Sequence, residues 1–304
     1  MSPIAVLASS PALLVGACLV LGLVVGSFLN VVIHRVPIML ERQWREQCAE
    51  LAQSGHDATV PAAFDTKKDR YNLIVPRSAC PACKAPISAL QNVPILSYLF
   101  LRGRCAQCDA HISLRYPIVE ALTGILSAMV AWKLGFAWPT AAGLVLTWFL
   151  VALAFIDIDH QLLPDSLTLP LLWLGLSLSL FAPAPGGAPL PVDMRSSIIG
   201  AIAGYVSLWS VYHLFRLLTA KEGMGYGDFK LLAAIGAWLG WKMLLPTVLI
   251  AAAVGAVAGI VLLAARGQSR STPIAFGPFL AAAGWLMLMF GHELVTGYLG
   301  LFAH

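Results

Sequence analysis

Gly223-Met224-Gly225-Tyr226-Gly227-Asp228-Phe229-Lys230 opens an apolar run that continues to about Trp241. Its three alternating glycines deliver a single carboxylate to the start of that run. Glycine tolerates positive φ and close backbone approach, so the loop can bend tightly and let another segment lie against it. An acid at the lip of a hydrophobic segment is costly unless it is paired, protonated or used. On local grounds, an Asp N-cap closing a glycine turn explains the octapeptide equally well. The surrounding chain separates the two readings.

Of 304 residues, 59% are hydrophobic and only 11% are charged, and mean hydropathy is +0.81. A soluble domain carries roughly 25% charged residues, so most of this chain is solvated by lipid. The expected fold is an all-α polytopic membrane protein of about eight transmembrane helices with one small polar insert. The net charge of +4 is small. No basic stripe interleaved with aromatics is present, which excludes a nucleic-acid-binding reading.

No charged side chain precedes Arg35, and Pro11 to Ile33 is long enough to cross a bilayer. That stretch lacks the basic flank and small-residue cleavage site of a signal peptide, so it reads as a retained anchor. The polar insert runs from 34 to 115 and holds both cysteine pairs. Further apolar runs follow at about 117–132, 138–156, 166–182, 197–218, 229–241, 244–265 and 274–298. The run at 229–241 is short for a bilayer. These shifts divide the chain into an anchor (1–33), an insert (34–115) and a multi-helix membrane domain (116–304). A Pro/Gly/Ala-rich loop lies at 183–191. With alternating spans and the insert inside, every Lys and Arg except Lys133, Arg195 and Lys242 falls on the cytoplasmic side. The same topology puts Asp157, Asp159, Asp165 and Asp228 at one membrane face, the cytoplasmic one.

Cys80-Pro-Ala-Cys83 and Cys105-Ala-Gln-Cys108 are two C-x-x-C knuckles, while Cys18 and Cys48 stand alone. Four thiolates so paired suit a closed tetrahedral Zn²⁺ site that stabilises a fold with little core of its own. A redox dithiol is the lesser alternative. Asp109 and His111 adjoin the second knuckle, but four cysteines already fill the site. Gly103, between Arg102 and Arg104, reads as a turn glycine or a point of close ligand approach.

In Phe155-Ile-Asp157-Ile-Asp159-His-Gln-Leu-Leu-Pro-Asp165, Asp157 and Asp159 point to different helix faces and do not form one pair. Asp157 directly follows the apolar run, Asp159 and His160 lie nearer water, and Asp165 reads as an N-cap. Glu120 and Glu293 are lone acids in spans and read as hydrogen-bonded structural groups. Asp157 and Asp228 together make two carboxylates in a partly dehydrated setting, where one keeps its proton and the other acts as a base. Such a pair can activate water against a peptide carbonyl and protonate the leaving nitrogen. No Ser-His, Cys-His or H-E-x-x-H arrangement competes with it.

The chain resembles the bacterial type IV prepilin peptidases over nearly its whole length. The resemblance rests on Gly26-Ser-Phe-Leu-Asn30 through Arg35, the two cysteine pairs, Arg115-Tyr-Pro-Ile-Val-Glu120, Asp157 through Asp165, Gly225-Tyr-Gly-Asp228-Phe-Lys230 and Phe276-Gly-Pro278. It implies Asp157 and Asp228 as the catalytic pair, with Gly225, Gly227 and Lys230 in the supporting loop. It also implies an inner-membrane enzyme whose substrates are prepilins and pseudopilins with a short basic leader. The leader is cut after a glycine at the cytoplasmic face, and the new N-terminal residue is methylated from S-adenosylmethionine. No G-x-G-x-x-G follows a strand pattern, so nothing in the sequence places the methyl donor. A peptidase without methyltransferase activity remains the alternative. A proton-coupled transporter would instead need acids near mid-membrane in symmetry-related repeats. A non-catalytic zinc-bearing assembly platform would leave the placement of Asp157 and Asp228 unexplained.

Overall fold

A computed structural model of the chain describes residues 3–54, 71–88, 93–182, 190–221, 224–266 and 275–300. Gly223 and most of the 183–191 loop lie outside the described residues. Among the described residues there are ten α-helices and no strand. They are α1 (Pro3–Ser9), α2 (Pro11–Ser54), α3 (Leu96–Phe100), α4 (Arg115–Leu134), α5 (Trp138–His160) and α6 (Asp165–Ser179). The series continues with α7 (Met194–Thr219), α8 (Tyr226–Leu239), a 3₁₀ turn (Trp241–Met243), α9 (Leu244–Arg266) and α10 (Gly277–Gly300).

Among the described residues six helices are long and apolar enough to span a bilayer, and two of the eight expected runs form shorter helices. The two that fall short are α6 with 15 residues and α8 with 14. At 1.5 Å per residue α8 is only about 21 Å long, against roughly 30 Å of hydrocarbon. The anchor also departs from expectation. It does not end at Ile33 but continues as one 44-residue helix through Pro37 to Ser54, deep into the polar stretch.

The chain divides into two compact units, Leu23–Ala121 and Met1–Gly22 with Leu122–His304. In the second, α8 is the axis. Every residue from Asp228 to Leu239 except Lys230 is buried, because α6, α7, α9 and α10 all pack against it. A helix apolar on all sides is stable only when it is enclosed in this way. Enclosure is tightest at the α7–α8 crossing. A Cβ on Gly236 would lie 2.2 Å from the Gly200 carbonyl oxygen, and one on Gly200 equally close to that of Gly236. Gly204 meets the Leu232 carbonyl, and the Ser197 hydroxyl donates to the Ala237 carbonyl at 2.6 Å. This is small-residue helix packing of the kind found in membranes, where backbones approach closely and polar side chains bind across the interface. On the other flank Gly175 admits the Trp238 indole, whose N–H donates to the Leu171 carbonyl at 2.7 Å. Likewise Trp285 of α10 donates to Thr147 of α5 at 3.2 Å.

Gly236→Ala is therefore expected to destabilise this unit by about 1–3 kcal/mol, since a backbone carbonyl must move to admit one methyl group. Gly16→Ala, which meets nothing within 4 Å, should be neutral or slightly stabilising because alanine is the better helix former. Thermal inactivation midpoints of the two purified variants make the comparison. Equal midpoints would rule out the close crossing.

Candidate active site and metal centre

Asp157 sits one turn before the C-terminus of α5, where Gln161 ends the helix in the left-handed conformation. Its side chain is buried, whereas Asp159 and His160 are exposed, as two faces of one helix end require. The Gly277 backbone N–H, at the start of α10, donates to Asp157 Oδ2 at 3.0 Å. A carboxylate at a helix N-terminus satisfies an otherwise unpaired amide and meets the positive end of the helix dipole. A Cβ on Gly277 would lie 2.6 Å from that same oxygen, so glycine is what lets the backbone come close.

Asp228 is not an N-cap. Gly225 is the cap of α8, and Asp228 is the third helical residue. Its carboxylate reaches back to the Gly225 backbone N–H, the reciprocal bond of a capping box. Gly225 has φ −82° and ψ 148°, so it supplies no left-handed turn. A Cβ on it would meet only Asp228 Oδ2 at 3.9 Å and the Gly227 nitrogen at 4.0 Å, which leaves open space beside the acid among the described residues. Gly227 serves close packing instead, with a Cβ there falling 2.6 Å from that of Leu163. The Leu163 side chain also touches the Gly277 position at 3.2 Å. One buried leucine thus wedges between the glycine that precedes Asp228 and the glycine that holds Asp157. The two acids, both nearly enclosed at 6% and 7% exposure, interact electrostatically.

Asp165 is likewise not the expected N-cap. Pro164 occupies that position, and Asp165 begins α6. Its two carboxylate oxygens accept from Lys230 Nζ at 2.6 and 2.8 Å. This ion pair ties the segment after Asp157 to the helix of Asp228. It is partly exposed, so its stability contribution is small, about 0–1 kcal/mol, and its effect is alignment. An aromatic cluster of Tyr205, Tyr212, Tyr226 and Phe229 packs beside the start of α8, with ring centroids 5.4 to 5.9 Å apart. Sequence reasoning assigned no role to Leu163 or Gly277. The available signal was Phe276-Gly277-Pro278 ahead of an apolar run, a helix-start pattern.

The other acids in spans are paired. Glu120 accepts from the Ile95 N–H at 2.8 Å, and Glu293 pairs with Lys133.

The four cysteines converge. Cys80, Cys83, Cys105 and Cys108 present their sulfurs within 4.8 Å of one another, with Cys80–Cys108 at 3.8 Å and Cys83–Cys105 at 4.0 Å. Tetrahedral metal–sulfur bonds of 2.3 Å place neighbouring sulfurs about 3.8 Å apart, so the set fits such an ion. The two knuckles repeat one backbone design. Cys80 N donates to Ala85 O and Cys105 N to Ala110 O, both at 2.9 Å. Lys84 and Asp109 occupy the same left-handed position, at φ 59° and 54°. Ile87 N donates to Ser78 O, and Ile112 N donates to Gly103 O. Asp109 is thus a turn residue of the second knuckle, His111 bridges to Arg104, and neither is part of the cluster. Gly103 is a left-handed turn glycine at φ 69°.

The sequence model described as bacterial peptidase A24 N-terminal domain matches residues 20–134. That of the type IV leader peptidase family matches residues 144–260. A prepilin leader peptidase/N-methyltransferase of Stutzerimonas stutzeri is 50% identical over 299 residues, covering 98% of both chains. The chain belongs to the type IV leader peptidase family. Other family members of the same description are those of Aeromonas salmonicida, 54% identical over 91% of both chains, and Pseudomonas aeruginosa, 48% identical over 96% of both. No solved structure matches this family member.

Proposed function

We propose that this chain removes the leader peptide from type IV prepilins and related pseudopilins at the cytoplasmic face of the inner membrane. In the same reading it N-methylates the residue so exposed, with S-adenosylmethionine as donor. The carrying observation is the burial of Asp157 and Asp228 around one leucine wedge, in electrostatic contact. Two like charges held close share protons as a unit, so one carboxyl is ionised while the other is protonated. The ionised member takes a proton from water as it attacks the scissile carbonyl. The protonated member donates to the leaving nitrogen, and no covalent intermediate forms. Gly225 leaves room beside Asp228 for the substrate backbone, Gly227 permits the Leu163 contact, and Lys230 aligns α8 with α6. The placement of basic residues supports a cytoplasmic site.

The four thiolates would hold Zn²⁺ as a structural ion within the 34–115 insert, and the peptidase proper would occupy 116–304. With four protein ligands such an ion has no open position for substrate. Its contribution is to fold the insert.

Mass spectrometry of a co-expressed prepilin tests the reading, because leader loss and a single added methyl group appear in one spectrum. Both changes are expected, and an uncut prepilin would overturn the proposal. The two activities should also separate. An Asp228→Ala protein given a substrate already lacking its leader is expected to methylate it, since methyl transfer does not use the acid pair. Failure of the folded variant to do so would show that the two sites are not independent.

A further inference from the structure

Helix α3 has no buried residue. Leu96, Leu99 and Phe100 stand at i, i+3 and i+4, on one stripe of it, and Phe100 is 85% exposed. Tyr98 faces the other way. Its hydroxyl donates to the Ile112 carbonyl at 3.4 Å and covers Gly103, where a Cβ would come within 2.6 Å of it. The helix thus turns its polar side to the second knuckle and its apolar side outward, the reverse of a helix on a water-facing surface. Leu114 and Ile118 are exposed on the same unit, and the exposed Arg102 and Arg104 follow directly after α3.

Two hydrogen bonds fix the height of this element. The Ile95 N–H, just ahead of α3, donates to Glu120 Oε2 at 2.8 Å. Ile95 is held at φ 58° to do so, a conformation that a β-branched residue avoids. Glu120 lies five residues into α4, about 7.5 Å beyond Arg115. Beside it, Asn30 Nδ2 donates to the Tyr116 carbonyl at 3.1 Å. Asn30 stands just before Arg35, the first charged residue of the chain. The start of α3 therefore sits within about two turns of the point where α2 and α4 both change from apolar to charged.

We propose that α3 is an interfacial helix. Its Leu96–Leu99–Phe100 stripe lies in the headgroup–acyl boundary of the phospholipid bilayer, with Arg102 and Arg104 on anionic headgroups. The occupant is lipid because the start of α3 lies within about two turns of the polar ends of two spans, and because basic side chains flank the stripe as they flank a lipid-facing segment. The proposal is independent of the peptidase and methyltransferase reading.

The test is photocrosslinking of the full-length protein in nanodiscs of phosphatidylethanolamine and phosphatidylglycerol. Phe100, or in a second preparation Leu99, is replaced by p-benzoylphenylalanine. Glu46 replaced in the same way is the control, 16 residues beyond Asn30 on α2 and so about 24 Å away. After irradiation, peptides bearing position 99 or 100 are expected to gain the mass of one phospholipid, at least tenfold more often than the control peptide. Retained metal content identifies folded protein. Folded protein without a lipid adduct at either position, equal labelling at position 46, or crosslinks mainly to a second copy of the chain would each overturn the proposal.

Discussion

Asp157→Asn and Asp228→Asn are each expected to reduce prepilin cleavage by about 10³-fold or more, while the protein stays inserted and stable. Asparagine keeps the size and much of the hydrogen bonding of aspartate but can neither hold nor release the catalytic proton. In the Asp157 variant the side-chain carbonyl still accepts from Gly277, so the start of α10 remains capped. The two losses should not add, because residues acting as a unit fail when either is missing. Neighbouring acids are the controls. Asp159 is exposed, and Asp165→Asn loses only a partly exposed ion pair with Lys230, so both variants should keep most activity. Cleavage should fall at both acidic and alkaline extremes, as it must when one carboxyl works ionised and its partner protonated. Initial rates on a purified prepilin, with variant abundance in the membrane fraction, decide the matter. An active Asp157→Asn with an inactive Asp159→Asn would move the site, and two active variants would remove the aspartyl mechanism.

The second large effect is expected at the metal centre. A Cys80→Ser, Cys105→Ser double variant removes one ligand from each knuckle and should lose the ion, expected at about one zinc per chain. Structural zinc in small domains contributes roughly 10–16 kcal/mol of apparent binding free energy, more than such a domain has to spare. The fold between 71 and 115 should therefore loosen, since among its described residues only Cys80 and Gly103 are buried. The spans do not depend on the ion and should stay inserted. Elemental analysis and limited proteolysis of the purified variant give the two readouts. Full metal content would rule out the four-cysteine site.

Much of this was legible in the sequence because the signals are local. Apolar runs marked the spans, paired C-x-x-C spacing marked the four thiols, and an acid two residues into an amphipathic end marked Asp159 as the solvated partner of Asp157. Contextual features were not legible. Pro37 and the charges after Arg35 argue for a break, yet α2 runs on to Ser54, and Arg35 on its flank holds the Asn72 and Pro76 carbonyls at 2.8 and 2.6 Å. Composition marked α6 and α8 as apolar runs but could not show that α8 is enclosed by four other helices. The Lys230–Asp165 pair and the Gly277–Asp157 bond join residues 65 and 120 positions apart. Only the tertiary fold creates them. The close approach of Gly200 to Gly236 and of Gly204 to Leu232 likewise joins residues distant in sequence.

The short, enclosed α8 also constrains how the protein is made. A 14-residue helix carrying Asp228 and Lys230 in its first turns is too brief and too charged there to partition into lipid by itself. It must follow α7 into the membrane as one half of a helical hairpin, with the glycine crossing formed during insertion. Substitutions at Gly200 or Gly236 would then act on biogenesis before they act on the finished enzyme. Their first symptom would be chains degraded during assembly, and any chains that matured would carry an intact catalytic pair.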